Sequence, residues 1–309
     1  MSILLTVMKK LSIIILFAFI SSCTKIVDID VPVYSEKPVA YSLFAKDSTF
    51  KIQLTKAVDI FDAYQEPVTE AEVLLYEDDF LVDSLICHDE IFESDVIAGI
   101  DKTYKITAKI DGFETVYASD YIPDSPVLGG CVIVDNSIVL DEEEVLNQEA
   151  QITIQDNNPE ENFYELILLK RYISDYTNEE VIANSYCYSE SPVIVEEGQL
   201  PVYPETLVFS DKLFNNSEVT LSIFYEAPHS TNYGDGSNIT YLDYSLIVVL
   251  RSITPDYYNY TNTLYQHIYN QDTDVWNPVS EPVQMYSNIQ NGLGIFAGYS
   301  EIRLEVVSD

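Results

Sequence analysis

Apolar residues recur at every second position along much of this chain, and that alternation restricts its fold more than any other feature. A side-chain period of two sets one face of each strand toward a core and the other toward water. Thr49-Phe-Lys-Ile-Gln-Leu-Thr55 reads this way, as does Tyr104-Lys-Ile-Thr-Ala-Lys-Ile110, from which Asp111-Gly112 turns the chain into Phe113-Glu-Thr-Val-Tyr-Ala118. Ala71 to Tyr76 and Phe80 to Ile86 form a second expected hairpin across Glu77-Asp78-Asp79. Roughly seven short strands in about 90 residues predict an immunoglobulin-like β-sandwich over residues 37–122.

The rest of the chain is also strand-rich. Gln151 to Gln155, Tyr164 to Leu169, Val219 to Phe224 and Tyr244 to Leu250 are its clearest strands, and Ile302 to Val306 alternates again at the end. One helix interrupts them. Thr254 suits an N-cap, Pro255 the first helical position and Asp256 the positive end of the dipole. Tyr257, Tyr260, Leu264, Tyr265 and Ile268 then follow at helical spacing. The predicted class is all-β: an N-terminal immunoglobulin-like sandwich, then a larger β-rich domain over 127–309 with one short helix. Pro123-Asp-Ser-Pro126 and Gly129-Gly130 punctuate the boundary. No internal repeat is evident.

Charge shifts at the same place. Residues 23–109 carry 8 basic and 18 acidic groups, whereas residues 110–309 carry 5 and 33. With a net charge of −36 overall, the chain lacks the basic face that phosphate binding needs, which excludes nucleic-acid partners. Anionic headgroups would be repelled as well.

The first 22 residues read as a lipoprotein signal peptide. Lys9 and Lys10 precede an apolar run from Leu11 to Ile20 that is too short to cross a bilayer, and Met8 is the more natural start. The run ends in Ile20-Ser21-Ser22-Cys23. This resembles a bacterial lipobox, in which the Cys23 thiol takes a diacylglyceryl group; the alternative is an ordinary secretory signal. Attached acyl chains make a durable anchor. Residues 23–36 are the expected tether. Lys25 with Asp28 and Asp30 partly matches the surface-export signal of some Bacteroidota lipoproteins.

No catalytic constellation stands out. Cys131 and Cys187 fall in the same unit and form the preferred disulfide pair, the alternative being that they and Cys87 remain thiols. His88, His229 and His267 lack metal-ligand spacing. Gly292-Leu-Gly-Ile-Phe-Ala297 matches a dinucleotide fingerprint only formally, because no βαβ unit surrounds it; backbone packing is the better account. The acidic stretches Asp141 to Glu144 and Asp156 to Glu161, and the loop Asn232 to Asn238, offer oxygen ligands for calcium without EF-hand spacing. Solvated acidic loops are the better account. Neither a metal, a cofactor nor an enzymatic activity is expected. The 24 Tyr suit sheet faces, and their concentration at Tyr257, Tyr258, Tyr260, Tyr265 and Tyr269, beside Trp276, hints at a binding face.

Three stretches carry a family resemblance: Phe209-Ser-Asp-Lys-Leu-Phe214, Ser252-Ile-Thr-Pro-Asp-Tyr-Tyr258 and Ser287-Asn-Ile-Gln-Asn-Gly-Leu-Gly-Ile-Phe296. Together with Cys23 to Pro32 and Tyr41 to Phe50, they resemble the domain of unknown function 4249, lipoproteins of the Bacteroidota. The resemblance implies an outer-membrane, lipid-anchored protein encoded near TonB-dependent transporters, with no established catalytic residues. It leads to the expectation of a non-enzymatic accessory component that binds a ligand or partner for such a transporter. A structural or assembly component of the envelope is the alternative.

Overall fold

In a computed structural model of the chain, the described residues are 36–58, 65–134, 139–140, 146–197, 205–232, 238–271 and 283–307. The expected signal peptide, Cys23 and nearly all of the tether lie outside them. Glu36–Asp309 forms one compact unit, and the protein is all-β with two helices among the described residues. None of its described helices is long and apolar enough to cross a membrane.

The first sandwich uses seven strands: β1 (Pro38–Ala45), β2 (Thr49–Lys56), β3 (Ala71–Glu77), β4 (Phe80–His88), β5 (Ile91–Ile97), β6 (Thr103–Ile110) and β7 (Val116–Tyr121). They lie in the order β1-β2-β5-β4-β3-β6-β7. Two tight turns rest on acidic residues at positive φ, Asp78 and Asp79 before β4, Asp89 and Glu90 before β5. Asp is among the few non-glycine residues that tolerate this region. Strand β4 pairs with β3 along most of its length and with β5 at Ile86, Cys87 and His88, so it passes from one layer to the other. Between the layers Phe44, Phe50, Phe92, Tyr104 and Ile106 are almost fully buried. The rings of Phe44 and Phe50 lie 5.0 Å apart, and those of Phe50 and Tyr104 4.8 Å apart.

The second sandwich sets β8 (Val127–Ile133), β9 (Val139–Leu140), β10 (Leu146–Gln155), β13 (Cys187–Tyr188) and β15 (Glu218–Glu226) in a five-stranded sheet. This sheet faces β11 (Phe163–Ile173), β12 (Glu180–Asn184), β14 (Thr206–Ser210) and β18 (Tyr244–Ile253). Ile152, Ile154, Leu221 and Ile223 pack against Leu166, Leu168, Val248 and Leu250 in its core. The short helix α1 (Pro192–Glu196) and the hairpin β16 (His229–Asn232) with β17 (Asn238–Tyr241) complete this half.

Strand β19 (Leu293–Val307) belongs to both halves. Leu293 to Tyr299 pair in parallel with β1, and Tyr299 to Val307 pair antiparallel with β18. The chain end thus joins the two sandwiches in one continuous twelve-stranded sheet. Phe296 enters the first core, 4.7 Å from the ring of Phe44. Ile295 and Ala297 point the other way, beneath helix α2 (Pro255–Gln271). Residues 127–309, expected to fold as a domain of their own, therefore give part of their last strand to the unit before them. The glycines make this approach feasible. A Cβ on Gly294 (φ +108°) would stand 2.0 Å from the Ala40 carbonyl oxygen, and one on Gly298 2.1 Å from that of Tyr121. The Gly292 to Ala297 stretch is accordingly a packing seam.

Candidate functional site

Helix α2 overhangs the seam, and two different environments lie beneath it. Its start is fixed as the sequence predicts. The backbone N–H of Tyr257 donates to Thr254 Oγ1 at 3.3 Å, and that of Tyr258 donates to the Thr254 carbonyl at 3.0 Å. The Thr254 hydroxyl in turn donates to Asp120 Oδ2 at 2.6 Å, which also accepts from the Gly298 N–H at 3.2 Å. Burial pushes Asp120 up to about 7, against the pull of these donors. One buried carboxylate of β7 thus ties together the helix, β19 and the first sandwich.

The first environment is closed and charged. Arg251 donates to Glu165 at 2.9 Å and to Glu301 at 3.0 Å. Tyr257 and Thr206 hydroxyls also donate to Glu165, at 3.0 and 2.9 Å. The guanidinium lies 4.4 Å from the centre of the Tyr299 ring. Burial works against the Arg251 charge, but the Glu165 carboxylate outweighs it and the pKa is raised. With its hydrogen bonds filled in this way, the cluster is a structural support.

The second environment is open. A cavity of about 520 Å³ lies on the outer face of β1 and β2, where Tyr41, Gln53 and Thr55 form its floor. Tyr260 of α2 walls one side, Met285 and Tyr286 another, and residues flanking 59–64 a third. Tyr41 and Tyr260 approach with ring centroids 6.4 Å apart and planes tilted by 56°. Burial, then the nearby Glu165 charge, raises the Tyr41 pKa, so the phenol stays neutral at physiological pH. Tyr286 is held at both ends: its N–H donates to Thr263 Oγ1 at 2.8 Å and its hydroxyl donates to Asp256. Asn288 donates to the other Asp256 oxygen at 3.0 Å, and its side chain also bridges the backbone N–H and C=O of Phe296.

The profile of the family described as Domain of unknown function (DUF4249) matches residues 24–304. The chain belongs to this family. No curated protein matches it. The three stretches that carry the resemblance to DUF4249 hold structural joints. Ser252 to Tyr258 caps α2, Ser287 to Phe296 forms the seam, and Phe209 to Phe214 closes a turn on which Asp211 accepts from the backbone and side chain of Asn162.

The preferred disulfide between Cys131 and Cys187 is not formed. They sit on β8 and β13, with β15 and β10 between them, and three strand spacings of about 4.8 Å put their backbones well beyond the roughly 7 Å limit for a disulfide. Burial pushes Cys131 up to about 11 and Cys187 up to about 12, so both stay protonated at neutral pH. The Asp156 to Glu161 stretch folds on itself. Asp156 accepts from the Asn158 N–H, the Asn162 amide, the Tyr164 hydroxyl and the Asn216 N–H, the first three at 3.3 Å. Among the described residues, no group of three His, Cys, Asp or Glu is placed to hold a metal. His267 meets the Val283 carbonyl at 3.1 Å, and His88 is exposed at the end of β4. Asp141 to Glu144, most of the Asn232 to Asn238 loop and Trp276 lie outside the described residues.

Of the tyrosines singled out near the helix, only Tyr260 lines the cavity. Tyr257 is spent on Glu165, and Tyr258 donates to Glu197 beside the ring of Phe163. Tyr41 and Tyr286 were not indicated by local pattern, since they reach the site from far along the chain. Their placement depends on the parallel pairing of β1 with β19.

Proposed function

We propose that this protein is a non-enzymatic outer-membrane lipoprotein, anchored through Cys23, that binds a ligand or partner for a TonB-dependent transporter. The observation that carries the binding role is the cavity, where aromatic and amide side chains from five separate segments converge on about 520 Å³. Pockets of this size with a few polar groups suit a small ligand. The anchor rests on Ile20-Ser21-Ser22-Cys23, and the transporter partnership on the neighbourhood implied by the family resemblance. Mass spectrometry of the membrane-extracted protein should give acylated Cys23 as the mature N-terminus. Replacing Cys23 with Ser should release the protein from the membrane pellet. A barrel transporter should be recovered with the wild-type protein from mild detergent. Repeated recovery alone would remove the accessory role.

A second reading, a structural or assembly component of the envelope, is favoured by one feature. Phe80, Leu81 and Ile86 on β4 are 75%, 58% and 64% exposed, and apolar exposure of this kind commonly marks contact with another protein. Deletion would then weaken the envelope without affecting growth on any particular nutrient.

A further inference from the structure

The chemistry of the cavity narrows its ligand, granted the ligand-binding role just proposed. We infer that the cavity takes a neutral carbohydrate of one or two sugar rings. Three observations lead there. The described lining residues include no Asp, Glu, Lys, Arg or His, although the chain as a whole has 51 acidic and 15 basic residues. Among these residues an ionic ligand would find no counter-charge, which makes its desolvation costly. A wholly apolar ligand fails for the opposite reason: Gln53, Gln65, Thr55 and the phenols of Tyr41 and Tyr260 present polar atoms that it would leave unpaired. What remains is an uncharged molecule with apolar faces and a hydrogen-bonding rim. A pyranose ring has this form, with axial C–H groups on its faces and hydroxyls around its edge.

The aromatic groups are arranged for it. Tyr41 and Tyr260 present two rings tilted by 56°, 6.4 Å between centroids, a corner in which one ring can take a sugar face and the other its edge. Tyr286 is fixed before any ligand arrives, by Thr263 and Asp256, so little side-chain entropy remains to be lost on binding. Walls rise on several sides, from the floor of β1 and β2, from α2, from residues 285–287 and from those flanking 59–64. An extended peptide needs a groove open at both ends, whereas a mono- or disaccharide can enter from one side.

The test uses the full-length lipoprotein in detergent and a panel of named probes. Glucose, galactose, maltose, cellobiose and N-acetyllactosamine represent the neutral class; glucuronic acid and glucosamine are charged counterparts, and a proline octamer represents an extended peptide. Binding is read by saturation-transfer NMR and by tyrosine fluorescence. Saturable binding of at least one neutral sugar is expected, with the charged analogue about tenfold weaker or more. Tyr41→Ala and Gln53→Ala should each weaken it about tenfold, while Tyr117→Ala, on the exposed edge strand, leaves it unchanged. Thermal unfolding of each variant separates lost binding from lost fold, and Tyr260→Phe serves where Tyr41→Ala does not fold. A charged sugar or the octamer binding in a Tyr41-dependent way, with no neutral sugar bound, overturns the carbohydrate assignment but keeps the ligand-binding role. No Tyr41-dependent binding by any probe overturns the assignment too, and the transporter co-recovery then decides the accessory role independently.

Discussion

The two sandwiches are held together by different means. Strands β2 to β6 of the first include neighbours joined by tight acidic turns at Asp78-Asp79 and Asp89-Glu90, so part of its pairing is set locally. In the second, the central contacts join distant stretches: Leu166 lies opposite Leu250, and Ile152 opposite Leu221. Each half nonetheless depends on β19, which supplies Phe296 to the first core and a full antiparallel partner to β18. Cooperativity in this molecule should therefore follow the shared strand more closely than the Pro123 to Pro126 boundary. Long-range closure of this kind also slows folding, because the loop entropy must be overcome before the contacts form.

That contrast can be broken most severely at Gly294. Gly294→Val would drive a side chain into the Ala40 carbonyl and demand a positive φ of a β-branched residue; a loss beyond about 4 kcal/mol is expected in denaturant unfolding. Both halves should melt together. If the second sandwich kept its midpoint, the strand would not couple them. Phe296→Ala removes a ring buried at 0% exposure and should cost about 3–5 kcal/mol, with the first sandwich losing most of it.

Asp120 sharpens the comparison through pH. Its folded pKa, raised to about 7, exceeds the unfolded value of about 3.9. The folded state then holds the extra proton between these values, so the contribution of Asp120 to stability is full below about pH 4 and is lost as pH rises to about 7. Asp120→Asn keeps an acceptor oxygen for Thr254 and Gly298. It should flatten that decline and at pH 8 raise stability by on the order of 2 kcal/mol. A wild-type profile flat from pH 4 to 8 would contradict the buried ionisable joint. The smallest effect expected is that of a reductant: with Cys131 and Cys187 on strands that are not neighbours, dithiothreitol should leave the unfolding midpoint unchanged. A downward shift would reveal a disulfide.

Much of the fold was legible in local pattern. Period-two alternation located β2, β6 and the end of β19, and Thr254-Pro255-Asp256 located the start of α2, because strand faces and helix caps depend on near neighbours. The Leu293 to Gly298 half of β19 escaped that reading. Residues 295–298 are all buried, since a core covers one face and a helix the other, and a strand buried on both sides shows no alternation. The cavity escaped it too: Tyr41 and Tyr286 look like any other tyrosines until β1 and β19 pair.

The sequence by itself determined the strand-rich class, the acidic surface, the helix cap and the Cys23 motif, all of which follow from composition or from residues adjacent in the chain. Tertiary structure alone decided that the last strand completes the first sandwich, that Asp120 is buried at a three-way joint, and that neutral aromatic groups from distant segments enclose one cavity. Each of these depends on which distant residues come to lie side by side, and side-chain spacing along the chain carries no record of that.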